Sequence, residues 1–337
     1  MFRPNPLPLV SLLVMTFLAA GCGGAAPSPA ASASATPTSL SVSYSEIIPD
    51  ELAPWSAADG GYFAKNGLDV TLQYIASATG LPALLSGQVQ IAQLGGSDVL
   101  NAAAAGGDIV IVANLVPVFP YVFMAPNSIQ SLADLKGKKV GVSKFGGSAD
   151  IATRSGLQKN GIDPTRDVTI VETGSAANRV AALRGGAIQG GVSQPPESTL
   201  LQQQNFHVLF DLAKEKLPAT NTVVATTGAY LRAHKKVIQD YIDSLIQALA
   251  RIRRDEPFTD QVLIKWEKVN NDAAILKDTY NFYVKEIFPQ YPTPRPEQYQ
   301  AAIDVLKVNN SKLVDFKVSK ILDASFVKSA QDRKVGG

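Results

Sequence analysis

Three stretches of the chain recur in the same order roughly 100 residues apart, so any fold it adopts has to be built twice. Lys65-Asn66-Gly67-Leu68-Asp69 returns as Lys159-Asn160-Gly161-Ile162-Asp163, and Asp69-Val70-Thr71-Leu72 returns as Asp167-Val168-Thr169-Ile170. Ala83-Leu84-Leu85-Ser86-Gly87-Gln88-Val89-Gln90 returns as Ala182-Leu183-Arg184-Gly185-Gly186-Ala187-Ile188-Gln189. A period of this size is too long for a stacked solenoid repeat and suits a small α/β lobe.

Each copy alternates short apolar runs with helix-like segments. In the first, Leu40–Tyr44 and Val70–Tyr74 alternate as strands and Ile109–Val112 is a fully apolar, β-branched run. Helices are expected near Pro54–Lys65, Leu81–Ser86 and Ser97–Ala105. In the second copy, strands are expected at Lys139–Val142, Val168–Val171, Gly190–Ser193 and Val208–Phe210. Helices near Ala149–Lys159, Ala176–Arg184 and Pro196–Gln203 separate them. Strand, helix, strand at this spacing predicts an α/β fold of two lobes, each a mostly parallel sheet flanked by helices. From Tyr230 the pattern turns helical: Ile238, Tyr241, Ile242, Leu245, Ile246, Leu249 and Ile252 form one apolar stripe. Helices near Thr259–Lys268, Asp272–Phe288 and Glu297–Leu306 follow. They have no counterpart in the repeat and are expected to pack against one lobe, the alternative being a separate third domain.

The N-terminus has a different character. Residues 1–21 have one cation, Arg3, and an apolar stretch from Leu9 to Ala20, and end in Leu18-Ala19-Ala20-Gly21-Cys22. That ending resembles a bacterial lipoprotein signal, which implies lipidation at Cys22. Residues 22–39 continue as an uncharged Ala/Ser/Pro tether, too poor in large apolar side chains to fold. The apolar run Ile109–Ala125 is interrupted by Pro117 and Pro120 and falls short of about 20 residues, so it is read as two buried strands rather than a membrane span.

In parallel α/β sheets, ligands sit beyond the carboxyl ends of the strands, where loops and helix N-termini converge. That rule nominates the segment from Ser45 to Trp55 and Gly95-Gly96-Ser97-Asp98 in the first lobe. In the second it nominates Lys144-Phe145-Gly146-Gly147-Ser148 and Gln194-Pro195-Pro196-Glu197. Ser97 and Ser148 are equally good candidates for capping their own helices.

The segment Trp55-Ser56-Ala57-Ala58-Asp59-Gly60-Gly61-Tyr62-Phe63-Ala64-Lys65-Asn66-Gly67-Leu68-Asp69-Val70 resembles the A-x-x-x-G-Y-F-x-x-x-G-L-D-V signature of a family of ABC-importer substrate-binding proteins. This is the nitrate, sulfonate and taurine family, which includes binders of thiamine-pyrimidine precursors. Ala83–Gly87 and Ser131–Val142 match further stretches, and the resemblance covers roughly residues 40–250. It implies a two-lobe periplasmic-binding-protein clamshell (type II) with crossover strands near Tyr121–Ala125 and Thr222–Thr226. Lobe 1 would then comprise residues 40–125 and 223–337, with the C-terminal helices packed on it, and lobe 2 residues 126–222. The implied ligand-binding residues are Ser45, Glu46, Trp55, Gly96 and Ser97 in one lobe. In the other they are Gly146, Gly147, Ser148, Gln194 and Glu197. Trp55 would stack on a planar ligand, or else pack the first helix onto its sheet. The implied partners are a small-molecule solute, an ABC permease with its ATPase, and a membrane through Cys22. The expected state is a lipid-anchored monomer in the periplasm or on the outer face of the cytoplasmic membrane.

Lys144 and Arg179 are the cations nearest the expected cleft, but Glu46, Asp50, Asp98 and Glu197 bring four carboxylates. Carboxylates accept hydrogen bonds from amines and ring N–H groups and repel bare anions, which favours a zwitterionic or heterocyclic nutrient over a simple anion. Other chemistry finds little material. With 31 Lys and Arg against 29 Asp and Glu, the chain has no field to draw nucleic acid. One Cys and two His exclude an internal disulfide and leave too few ligands for zinc, and no cofactor is expected. Gly141-Val142-Ser143-Lys144-Phe145 lacks the last Gly of a nucleophile elbow, and Gly147 stands where a phosphate-binding loop needs Lys, so no enzyme is expected. The same clamshell could instead serve as a tethered sensor acting on a membrane receptor.

Overall fold

In the computed structural model, which describes residues 36–269 and 271–337, ten strands form two sheets of five. The signal-like segment, Cys22 and most of the tether lie outside the described residues. The first sheet takes β1 (Thr38–Tyr44), β2 (Leu68–Tyr74), β3 (Ile91–Leu94) and β4 (Ile109–Val118), the second β6 (Lys139–Val142), β7 (Thr169–Glu172), β8 (Gly190–Ser193) and β9 (Phe206–Asp211). The remaining strands are exchanged: β5 (Val122–Pro126) joins the second sheet and β10 (Pro218–Thr227) the first. The resulting orders, β2-β1-β3-β10-β4 and β7-β6-β8-β5-β9, are one topology written twice. In each, the second strand of the order, β1 or β6, pairs in parallel on both sides, and the exchanged strand runs antiparallel to both its neighbours.

The exchange moves the lobe edges expected from the sequence. Residues 122–125, expected in lobe 1, pair in the second sheet, where Phe123 stacks on Phe210 at 4.7 Å. Residues 218–222, expected in lobe 2, already belong to the ladder between β10 and β4. The cause is that each crossing segment runs on as a strand of the sheet it enters, where its backbone groups find partners. The apolar run 109–125 is accordingly the end-to-end pair β4 and β5. No helix among the described residues is long and apolar enough to cross a membrane.

The recurring residues do the same work in both copies. Gln90 accepts the Ser41 N–H (2.9 Å) and donates to the Gly87 carbonyl (3.3 Å); Gln189 accepts the Lys139 N–H (3.3 Å) and donates to the Gly186 carbonyl (2.8 Å). Asn66 and Asn160 each close a helix by donating to the carbonyl four residues back, and Gly67 and Gly161 follow at φ +76° and +79°. Only glycine holds that backbone region without strain, which is why Asn-Gly survives in both copies.

Most helices lie where the pattern predicts. The segment expected as one helix from Pro54 to Lys65 is α1 (Leu52–Asp59) and α2 (Tyr62–Lys65), parted where Gly61 takes φ +68°. β3 went unread because four fully buried residues carry no alternation. Next come α3 (Ser77–Leu85), α4 (Gly96–Ala104), α5 (Ser148–Lys159), α6 (Ala176–Arg184), α7 (Glu197–Gln202), α8 (Gly228–Ala233) and α9 (Lys235–Arg254). The whole predicted stripe of α9 is buried, packed against α1 and α2. After it come α10 (Glu256–Trp266), α11 (Ala273–Phe282) with a π-turn at Tyr283–Ile287, α12 (Gln300–Leu306) and α13 (Ser325–Asp332). α10 and α13 pack on the first lobe with α9, whereas α11 also touches α7 and α12 touches α5, so the C-terminal helices reach both lobes.

Candidate functional site

The loops after β1, β3, β6 and β8 all emerge at carboxyl ends of strands and converge on one cavity of about 60 Å³. The first lobe supplies Ser45, Glu46, Asp50, Glu51 and Asp98; the second supplies Lys144, Gly147, Ser148, Arg179 and Gln194. Tyr121, Asn221 and Thr222, from the two segments that pass between the sheets, complete the wall.

Of the ten residues nominated from the sequence, Ser45, Glu46, Gly147, Ser148 and Gln194 line this cavity; the other five do not. Trp55 is fully buried in the first lobe, stacked on Trp266 (5.8 Å, 7° between planes) and edge-on to Tyr44, so it packs helix onto sheet. Gly96 lies against β10, where a Cβ would sit 2.3 Å from that of Thr220. Ser97 is buried behind the wall. Gly146, at φ +72°, turns away from the cavity and donates to Asp150 at 2.9 Å. Glu197 opens α7, half-buried and outside the cavity lining. Neither serine caps its helix: Gly95 and Gly147 hold the cap positions, and the Ser148 hydroxyl donates to the Asn221 carbonyl (3.2 Å), tying α5 to β10.

Two cations reach the cavity. Arg179 is 2% exposed; its Nε donates to the Val192 carbonyl and one terminal nitrogen to the Ser143 hydroxyl, both at 2.7 Å. It reaches there because Gly141 and Gly191 leave its stem room, a Cβ on Gly191 coming within 3.2 Å of the Arg179 Cδ. Lys144 pairs with Asp98 at 2.8 Å, joining the loop after β6 to α4 across the cleft.

The acidic side is deeper. Asp50 accepts from Tyr283 (2.7 Å), from Thr222 (3.2 Å) and from Asn221. Burial outweighs these bonds and pushes its carboxyl up to about 6. Burial, then the neighbouring Asp50, raises Glu51 well above the usual carboxylate range. Glu46 is raised by burial, opposed by Arg179. Several polar atoms at the wall have no protein partner: both amide atoms of Gln194, Glu51 Oε2 and Asn221 Oδ1. Unpaired buried polar atoms in a cavity wall are costly unless something else bonds them. Glu51 falls inside the nominated segment from Ser45 to Trp55 without being singled out, and Tyr121, Asn221 and Thr222 are not expected as site residues from the sequence. The last three lie on the crossing segments, which strand-end reasoning does not reach, and Glu51 sits in a short 3₁₀ turn with no periodic signal. No group of three or more His, Cys, Asp or Glu among the described residues is placed to hold a metal ion.

Two α/β lobes of one topology, exchanging a strand and enclosing a polar cavity at their strand ends, define the periplasmic-binding-protein fold. The chain belongs to the NMT1/THI5-like family, whose model matches residues 51–255. Among solved structures it is similar to the aliphatic sulphonate-binding protein SsuA of Escherichia coli, with 20% identity and a TM-score of 0.70, covering 87% of this chain and 99% of that one. The alkanesulfonate-binding SsuA of Xanthomonas axonopodis pv. citri, bound to MOPS, is 21% identical with a TM-score of 0.70, covering 86% and 99%. The periplasmic nitrate-binding NrtA of Synechocystis PCC 6803 is 15% identical with a TM-score of 0.71, covering 89% and 90%. All three are described as binding proteins. No curated protein matches the sequence.

Proposed function

We propose that the protein is the extracytoplasmic solute receptor of an ABC importer, anchored by lipid at Cys22, which captures a small organic nutrient between its lobes and delivers it to a membrane permease and its ATPase. The observation that carries this reading is the cavity wall, which Gln194, Glu51 and Asn221 line from different parts of the chain, each with a buried polar atom that has no protein partner. A solute bonded to groups of both lobes binds the closed arrangement better than the open one and shifts the population toward it. The permease then reads the closed shape.

The neighbours that bind sulfonates and nitrate favour an anionic group on the solute, and Arg179 is the side chain placed to meet it. Glu46, Asp50 and Glu51 favour a second, donor-bearing group, so a zwitterion or an amino-heterocycle fits the lining better than a bare anion. A thermal-unfolding panel on the full chain tests the reading, with taurine, alkanesulfonates and nitrate set against pyrimidine and flavin nutrients. A ligand at about 100 times its Kd adds about 2.7 kcal/mol, a rise of several degrees. A panel without a shift, extended to cell extract, would remove the solute-receptor reading.

A further inference from the structure

Asp50 and Glu51 are consecutive, 0% and 1% exposed, and both line the cavity. Neither has an ion-pair partner among the described residues: Lys144 pairs with Asp98, and Arg179 donates to the Val192 carbonyl and the Ser143 hydroxyl. Asp50 is held by neutral donors only, and Glu51 Oε2 by nothing. Independently of this acidic pair, Gln194 of the second lobe is 3% exposed, lines the same cavity and has both amide atoms unbonded. Two adjacent buried carboxylates cannot both carry charge without a counter-ion, so the pair by itself keeps a proton.

We propose that this end of the cavity is a proton-exchanging subsite for a cationic N–H donor, an ammonium or amidinium group of the solute, which enters as the Asp50–Glu51 pair releases a proton to solvent. The inference rests on the reading of the cavity as a solute site. One positive charge enters and one proton leaves, so the buried charge is unchanged. The donors of the incoming group satisfy Glu51 Oε2, Asn221 Oδ1 and Gln194 Oε1, and a cavity of about 60 Å³ admits a group of only a few heavy atoms.

The groups packed around the pair supply no competing cation. Glu46 lies beside Arg179 and bears on Glu51 as a like charge. Burial raises the phenols of Tyr121, Tyr241 and Tyr283, so they stay protonated; Tyr283 donates to Asp50 at 2.7 Å and Tyr241 accepts from Gln93 at 2.9 Å. Glu267, whose two carboxylate oxygens are buried without partners, adds acidic character from the end of α10, next to Glu197 and Asp50. The exchangeable proton therefore sits on carboxylates.

Titration calorimetry of the full chain with acetamidinium chloride, in two buffers of different ionisation enthalpy at about pH 6, counts the protons released; methanesulfonate is the anionic comparison. Acetamidinium stays charged throughout the range. We expect it to bind with release of up to about one proton, its Kd falling several-fold between about pH 5 and about pH 7 and by no more than about tenfold per pH unit. Glu51→Gln should lower both the affinity and the proton count. The wild-type measurement decides the matter even where that variant does not fold. Acetamidinium binding without proton release or pH dependence overturns the proposal. So does binding of methanesulfonate but not acetamidinium, which leaves the solute-receptor reading standing. If neither probe binds, the subsite is also overturned, and the wider nutrient panel decides the receptor reading separately.

Discussion

Asp50 accepts hydrogen bonds from Tyr283, Asn221 and Thr222, and so ties the turn after β1 to β10 and to the end of α11 through one carboxylate. Its carboxyl is pushed up to about 6 from an ordinary 3.8, so the folded protein holds the proton more tightly than the unfolded chain. The contribution therefore favours folding at pH values below 3.8, and it declines as pH rises from there to about 6. Above that the buried charge costs a constant amount, about 3 kcal/mol by linkage. Asp50→Asn cannot ionise, so the stability difference between wild type and variant should turn against wild type by about 2–3 kcal/mol between about pH 4 and about pH 7. Urea unfolding at the two pH values measures it; an unchanged difference would show that Asp50 does not titrate in that window. The sequence named Asp50 only as one of several acids near a cleft. Its bonding and burial depend on residues more than 170 positions away, which no local pattern encodes.

Elements were the most legible level. The strands β1, β2, β6, β7 and β8 and the helices α5 and α6 fall within a residue or two of their predicted positions, because apolar spacing and turn glycines are local signals. α9 is the clearest: every residue of its predicted stripe is buried, and Leu245 is fully so in the core of the first lobe. Leu245→Ala should cost about 2–5 kcal/mol, seen as a lower denaturant midpoint with an unchanged slope. A loss well under 1 kcal/mol would mean that α9 is not packed as a core element. Where the sequence suggested one helix from Pro54 to Lys65, the left-handed Gly61 parts α1 from α2.

The two lobes meet at the Lys144–Asp98 pair, at the Ser148 bond to Asn221 and through the C-terminal helices. The pair is partly exposed and contributes only about 0.2–1 kcal/mol. Lys144→Glu replaces this attraction with a repulsion across the cleft. Spin labels at Thr79 and Asn178, exposed positions next to the cavity-lining Ser77 and Ala176, should then report longer distances than in wild type. An unchanged distance distribution would show that the pair does not hold the lobes together.

The duplication, the α/β class and the loops that would face the cleft are all properties of the sequence alone, since they rest on periodicity, repeated turn residues and the rule for strand ends. Tertiary structure decided which residues of those loops turn inward. It placed Trp55, Gly96 and Ser97 in the packing of the first lobe and brought Glu51, Tyr121, Asn221 and Thr222 to the cavity. The physical reason is the strand exchange: β5 and β10 carry the chain between the sheets, so their flanking residues meet the site only once both sheets have formed.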